Sequence, residues 1–310
     1  MLDRSVVSER LRGHTIGGVR ILAGLLWLAN IHWKVPSDFG KSTGGGLYKY
    51  IASGATNAPF APYRWALREL VIPHFALFGW FTLIIETALA GLLLIGYRTR
   101  IVALIGAAQA IPIGLAVIYY PKGDEWSWSY LMMIGLHLLL WAVAAGEYLG
   151  VDGVLAGPRE RSNRALRSTG IVALVVGVLG LFVARSISFA GKKAALLGSD
   201  AGFMKDGKLV RRWELKFLWF NPLWAILTIL FAVLLIVGAR RAIAAWLGVA
   251  GFGVMALVVF ASNTFDYVRD DGVVQKVATG SNAAVWGGLA LAGALFARRA
   301  FSIEEPTAAG

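Results

Sequence analysis

Long apolar runs recur along the chain, separated by short basic turns and by two long polar loops. Two of these runs, 75–96 and 101–120, are joined by the tight basic turn Gly96-Tyr97-Arg98-Thr99-Arg100. Each is about 20 residues long, enough for a helix to cross the roughly 30 Å hydrocarbon core of a bilayer. The same pattern predicts spans at 17–33 and 129–149, and then at 168–190, 218–238, 242–262 and 281–298, eight in all. The end of the first long loop, Pro59 to Pro73, mixes Tyr63, Arg64, Trp65, Arg68 and Glu69 with apolar residues and reads as an interfacial helix. A Trp-rich turn with Trp126 and Trp128 opens the fourth span, and Arg159, Arg161, Arg164 and Arg167 mark residues 150–167 as a linker between halves.

The second half repeats the plan of the first. LLLIGYRTRIVALIG around the first basic turn aligns without a gap with LLIVGARRAIAAWLG around Gly238-Ala239-Arg240-Arg241. The expected architecture is therefore an all-α integral membrane protein, with eight transmembrane helices arranged as two tandem four-helix-bundle repeats, 1–155 and 168–300. Four spans per unit is an even number, so both copies insert the same way up. The basic turns, the linker and the Arg298-Arg299 end fall on one side, which positive-inside counting makes cytoplasmic together with both termini. The expected location is the cell (inner) membrane. The first run has no Ala-x-Ala pattern and is read as an uncleaved span.

Composition agrees with a polytopic membrane protein: 57% of the 310 residues are hydrophobic, 15% are charged, and the mean hydropathy is +0.65. A net charge of +12 would suggest nucleic acid in a soluble chain, but here basic turns facing anionic lipid account for it. With no cysteine in the chain, structural disulfides, thiolate-held iron–sulfur clusters and thiol relay chemistry are excluded.

Ionisable groups inside the spans are then the informative residues, because charge at that depth is costly. Glu86 and Gln109 lie near the midpoints of spans two and three, and His137 in span four falls at a similar depth. In span one, Arg20, Gly24, Trp27, Asn30 and Lys34 follow three- and four-residue steps along one helix face. His32 and His74 sit at the outer ends of spans one and two. A carboxylate, an imidazole and an amide in an aromatic pocket suit a quinone head group, whose carbonyls need donors and whose reduction needs protons. Glu86 is expected to carry the proton, His137 to donate to a carbonyl and Gln109 to orient the ring. Arg20, Trp27, Asn30, Lys34 and His74 complete the expected binding set. The competing reading pairs Glu86 with Arg20, Lys34 or His137 only to lock the bundle.

In the second half Thr228 stands opposite Glu86 and Gly251 opposite Gln109, which reads as a scaffold or docking unit with Arg185, Asn263 and Asp266 at its rim. Gly40-Lys41-Ser42-Thr43 mimics the end of a phosphate loop but lacks the leading glycine, since position 35 is Val. Four histidines without a repeated spacing give no haem site, and neither a flavin nor an iron–sulfur site is supported.

The first half resembles the DoxX/DoxD-like membrane proteins. The matching residues are Arg20, Gly24, Trp27 and Lys34, then Glu86, Gly91 and Gly96-Tyr97-Arg98-Thr99-Arg100, and finally Tyr130, Gly146 and Asp152, all within about 15–155. The resemblance implies a membrane subunit of an oxidoreductase complex, similar to thiosulfate:quinone oxidoreductase, with quinone and other protein subunits as partners. The second four-span unit departs from that pattern. A non-catalytic scaffold that anchors partner proteins through the long loops, or a small-molecule transporter, are the alternative expectations.

Overall fold

The computed structural model describes residues 4–118, 120, 128–186, 194–196, 200–205, 208–214, 218–262, 264–268 and 274–302. Eleven α-helices are seen among them. The first bundle is built from α1 (Arg4–Ile31), α4 (Phe75–Ile95), α5 (Thr99–Val117) and α6 (Trp128–Ala142). Between α1 and α4 the chain forms α2 (Gly46–Asn57) and α3 (Ala61–Ala66), the latter running into a π-helical turn at Leu67–Val71. The second bundle contains α8 (Glu160–Ser186), α9 (Pro222–Gly238), α10 (Ala242–Ala261) and α11 (Gly280–Phe301), and the short α7 (Val151–Ala156) connects the two.

Among the described residues, six helical segments are long and apolar enough to cross a bilayer: Ser8–Ile31, Phe75–Ile95, Thr99–Val117, Glu160–Phe182, Ala242–Ala261 and Gly280–Phe301. This is a multi-pass membrane protein in contact with lipid. The other two expected spans, α6 and α9, are apolar but only 15 and 17 residues long. The segment 59–73, expected as an interfacial helix, forms α3 and its π turn. The linker is more ordered than expected, since α7 lies within it and α8 begins at Glu160 rather than 168. The expected Trp-rich turn, at 121–127, and Asn263 fall outside the described residues, as do the side chains of Arg185 and Asp266.

The described residues between the helices of the second half include three antiparallel strand pairs. β1 (Ala194–Leu196) pairs antiparallel with β4 (Leu218–Phe220), β2 (Asp200–Lys205) with β3 (Lys208–Glu214), and β5 (Thr264–Val268) with β6 (Val274–Ala278). β4 is apolar and buried in the core of the second bundle, where the sequence pattern places the start of a span. Asn282 of α11 fastens it: its side-chain amide accepts from the Trp219 N–H at 3.0 Å and donates to the Trp219 carbonyl at 2.7 Å.

The basic turn of the first bundle shows why its residues are needed. Gly96 ends α4 in the left-handed conformation (φ +68°), and its N–H and that of Tyr97 reach back to the Leu92 carbonyl at 2.9 and 3.1 Å. The opening N–H groups of α5, on Arg98 and Thr99, are then satisfied by the Asp152 carboxylate at 2.8 and 3.0 Å. The look-alike turn of the second bundle is built differently. Gly238 is the last residue of α9, followed by Ala239 in the right-handed region and Arg241 in extended backbone.

Each bundle has its own apolar core. They are joined by α11, which packs on α4 as well as on α8 and α10. The approach is close because a Cβ on Gly91 of α4 would lie 2.7 Å from the Ala284 carbonyl oxygen. At the far end of α11, Arg299 donates to the carbonyls of Val154, Leu155 and Gly157, which ties the connecting segment to the second bundle.

Candidate functional site

The first bundle has a lower end, where α4 stops and α5 starts, and an upper end, where α1 stops and α4 starts. The polar residues picked out on span one separate along this axis into three layers. At the lower end, Arg20 is fully buried and donates to the carbonyls of Leu93 (2.6 Å), Leu94 (3.1 Å) and Leu149 (2.8 Å). It satisfies the C-terminal carbonyls of α4 and holds the turn after α6 against them. Gly96 is required beside it, since a side chain there would overlap the guanidinium.

In the middle layer the Trp27 indole N–H donates to His137 Nε2 at 2.9 Å. An indole can only donate, so Nε2 is the acceptor and Nδ1 carries the proton, given to the Met133 carbonyl at 2.7 Å. Gly106 makes room, because a Cβ there would run into the imidazole. His137 is thus committed on both nitrogens, and the role expected for it, donor to a ligand carbonyl, is not available in this arrangement.

The upper layer is where charge and space meet. Lys34, just beyond α1, places its ammonium 2.7 Å from Glu86 Oε2, and both side chains are almost completely buried (2% and 0% exposed). The same ammonium donates to the Asn30 carbonyl at 2.6 Å and sits 4.1 Å from the centre of the Trp33 ring. The contribution of Asn30 is therefore its backbone. Glu86 Oε1 is buried and has no hydrogen-bond partner among the described residues, and Thr82 Oγ1, one turn earlier on α4, is in the same condition.

Lys34 and Thr82 form part of the wall of a cavity of about 220 Å³ roofed by α2, α3 and the π turn. Gln109 also lines it, and the remaining walls are mostly aromatic and aliphatic, with Trp33, Tyr50, Tyr63, Phe78, Phe81 and Tyr130 prominent. Tyr63 is anchored by a hydrogen bond to the Pro112 carbonyl (2.7 Å), and burial pushes its phenol up to about 12. The volume lies just below the ~300 Å³ at which drug-sized pockets begin, so it admits a one- or two-ring head group but not a long tail.

Of the expected site residues, Lys34 and Gln109 line this cavity and Glu86 adjoins it through Lys34. Arg20, Trp27 and His137 lie in the layers below. His74 is exposed at the start of α4 and does not line it. Tyr50, Tyr63 and Thr82 were not anticipated. Tyr63 lay in the segment read as interfacial, but no spacing rule folds α2 and α3 back over the bundle.

The Gly40-Lys41-Ser42 resemblance to a phosphate loop has a local explanation. The Asp38 carboxylate accepts from the N–H of Gly40 (3.1 Å), the N–H of Ser42 (3.0 Å) and the Ser42 hydroxyl, occupying the donors a phosphate would need. The Ser42 hydroxyl and these amides hold its carboxyl below the usual range. Among the described residues, no group of three or more His, Cys, Asp or Glu could hold a metal ion.

Residues 41–182 match the family described as TQO small subunit DoxD. The chain is DoxX/DoxD-like over that stretch. The match takes in Glu86, Gln109 and the cavity roof, but it begins after α1, so Arg20, Gly24, Trp27 and Lys34 of the expected resemblance fall outside it, and it ends within α8. No curated protein and no solved structure matches the sequence.

Proposed function

We propose that the chain is the quinone-interacting membrane subunit of an oxidoreductase complex of the thiosulfate:quinone type, with the head group bound in the upper cavity of the first bundle. The observation that supports this reading is the buried Lys34–Glu86 pair at the wall of an otherwise aromatic cavity. The flat rings of Trp33, Tyr50 and Tyr130 suit a planar ring, while Lys34 and Gln109 supply donors for its carbonyl oxygens. A quinone becomes a quinol by taking up electrons together with protons. Glu86 and Lys34 hold and pass a proton at the edge of the cavity, and the apolar walls keep bulk water away from it. Electrons come from a reduced sulfur compound through a partner subunit.

On this reading α6 and α9 also cross the membrane, giving eight helices in two tandem repeats. The lower, arginine-rich end and both termini face the cytoplasm of a bacterial or archaeal cell. The unlike turns at Gly96 and Gly238 then reflect divergence of the second copy, which keeps the bundle and not the site.

The test is mass spectrometry of the protein purified gently from its own membrane. A stoichiometric quinone is expected, lost in Lys34→Met and Gln109→Leu and retained in Trp65→Ala, a change at an exposed residue outside the cavity. Partner proteins recovered with no quinone in the wild type would overturn the reading in favour of a scaffold.

A further inference from the structure

Glu86 adjoins the cavity through Lys34, and its neighbour on α4, Thr87, meets the second bundle. Successive residues turn by about 100° on a helix, so Thr82 and Glu86 share one face of α4 while Leu83 and Thr87 flank Glu86 toward α11. The start of α11 lies against that flank: a Cβ on Gly280 would stand 2.7 Å from Thr87 Oγ1 and 2.8 Å from Ile31 Cγ2. Ser281 follows and is fully buried, as is Thr279 just before it at 1% exposure. Thr82, Glu86, Thr87 and Ser281 each carry a buried oxygen with no hydrogen-bond partner among the described residues. Orphaned buried polar atoms are rare, and a cluster of them marks a place where ordered water completes the bonding. The surface is near, since Lys276 of β6 is exposed and the Ala278 N–H is bonded to the His32 carbonyl at the upper end of α1.

We propose that Thr87 of α4 and Ser281 of α11 hold buried water that links the Glu86 carboxylate to the upper face. This gives the second bundle a function: it supplies half of the proton route to a site lying wholly in the first. The route's role in quinol formation rests on the proposed quinone reading, but the hydration itself does not. Protons enter past Thr279 and Ser281, reach Glu86 through water, and pass with Lys34 to the cavity. Thr87 and Ser281 are positioning residues, since neither lines the cavity.

The test is hydroxyl-radical footprinting of the full-length protein in lipid nanodiscs made up in oxygen-18 water. Water held at this seam labels Leu83 and Ile31, although they are only 2% and 0% exposed. The label is lost in the Thr87→Val/Ser281→Ala double variant and returns in Thr87→Ser/Ser281→Thr, which restores both hydroxyls. Labelling of Leu83 and Ile31 no greater than that of the dry core residues Leu93 and Leu140 would overturn the proposal, as would labelling indifferent to the double variant. Bound quinone is measured on the same samples. A labelled seam without quinone refutes the quinone reading and leaves the hydration standing, whereas quinone with a dry seam does the reverse.

Discussion

Removing either member of the Lys34–Glu86 pair and then both separates a bundle lock from a working site. At 2.7 Å and an effective dielectric near 20, the two charges attract by about 6 kcal/mol. Taking both out of water costs several kcal/mol per ion, so the intact pair adds little net stability. Either single change leaves one buried charge uncompensated. Lys34→Met strands Glu86, with one oxygen already unpartnered, and Glu86→Gln strands an ammonium that keeps the Asn30 carbonyl and the Trp33 ring. Each is expected to cost about 3–5 kcal/mol, the range for breaking a buried pair from one side. Lys34→Met/Glu86→Leu removes both charges at similar volume and is expected to recover most of that loss. Stability is read as a shift in the unfolding midpoint in detergent, with bound quinone measured on the same preparations. If the double variant regains stability but not quinone, the pair serves the ligand. Single variants as stable as the wild type would refute the reasoning, since no uncompensated charge would then exist. A double variant that keeps its quinone would show the pair to be a lock only.

Gly106→Ala should force His137 away from Trp27, because the added methyl overlaps the imidazole; overpacking of this kind costs about 1–3 kcal/mol and is read in the same unfolding assay, while Gly135→Ala, where nothing lies in the way, should be neutral or stabilising. Tyr63 gives the pH dependence. Its folded phenol is raised to about 12 by burial, above the ordinary value near 10. Its contribution is therefore present below pH ~10 and lost as pH rises through the folded value. An alkaline absorbance titration of wild type minus Tyr63→Phe should show one phenolate appearing only near pH 12. A phenolate appearing near pH 10 would mean that α3 does not cover the cavity.

Much of the helical frame was legible in the sequence because a bilayer demands long apolar helices, and apolar length is a property that can be counted. Glu86 was legible for the same reason, as a charge where charge is costly. The polar line from Arg20 to Lys34 was legible as a helix face but not as three separate jobs. Spacing shows that side chains share a face, whereas the partners of each come from segments far away in sequence: Leu93 and Leu149 for Arg20, His137 for Trp27, Glu86 for Lys34. The β ribbons and α2 were not legible in the sequence, and α3 was legible as a helix without any sign that it folds over the cavity. The likeness between the two basic turns was real as sequence, but it concealed different backbones. In the first the Asp152 carboxylate caps the helix that follows, and this contact joins residues more than fifty apart.

The buried polar residues of the first bundle divide by what satisfies them. Arg20, Gly96, Gly146 and Asp152 close on one another at the lower end, where a side chain at Gly96 or Gly146 would collide with Arg20 or Asp152 respectively. Arg20 meets carbonyls through its terminal nitrogens while its Nε has no partner among the described residues, and the Asp152 carboxylate meets helix N–H groups. Trp27 and His137 are likewise satisfied by each other and by Met133. Lys34 and Glu86 differ in place: Lys34 lines the cavity, and beside it Glu86 keeps an unpartnered oxygen although the chain surrounds it completely. A lock has no use for that oxygen, and well-packed apolar side chains would hold the helices as well or better. A proton carrier needs it, with a cavity on one side and a polar seam on the other. The functional reading draws on the buried Lys34–Glu86 pair at the cavity wall and on the unpartnered Glu86 oxygen.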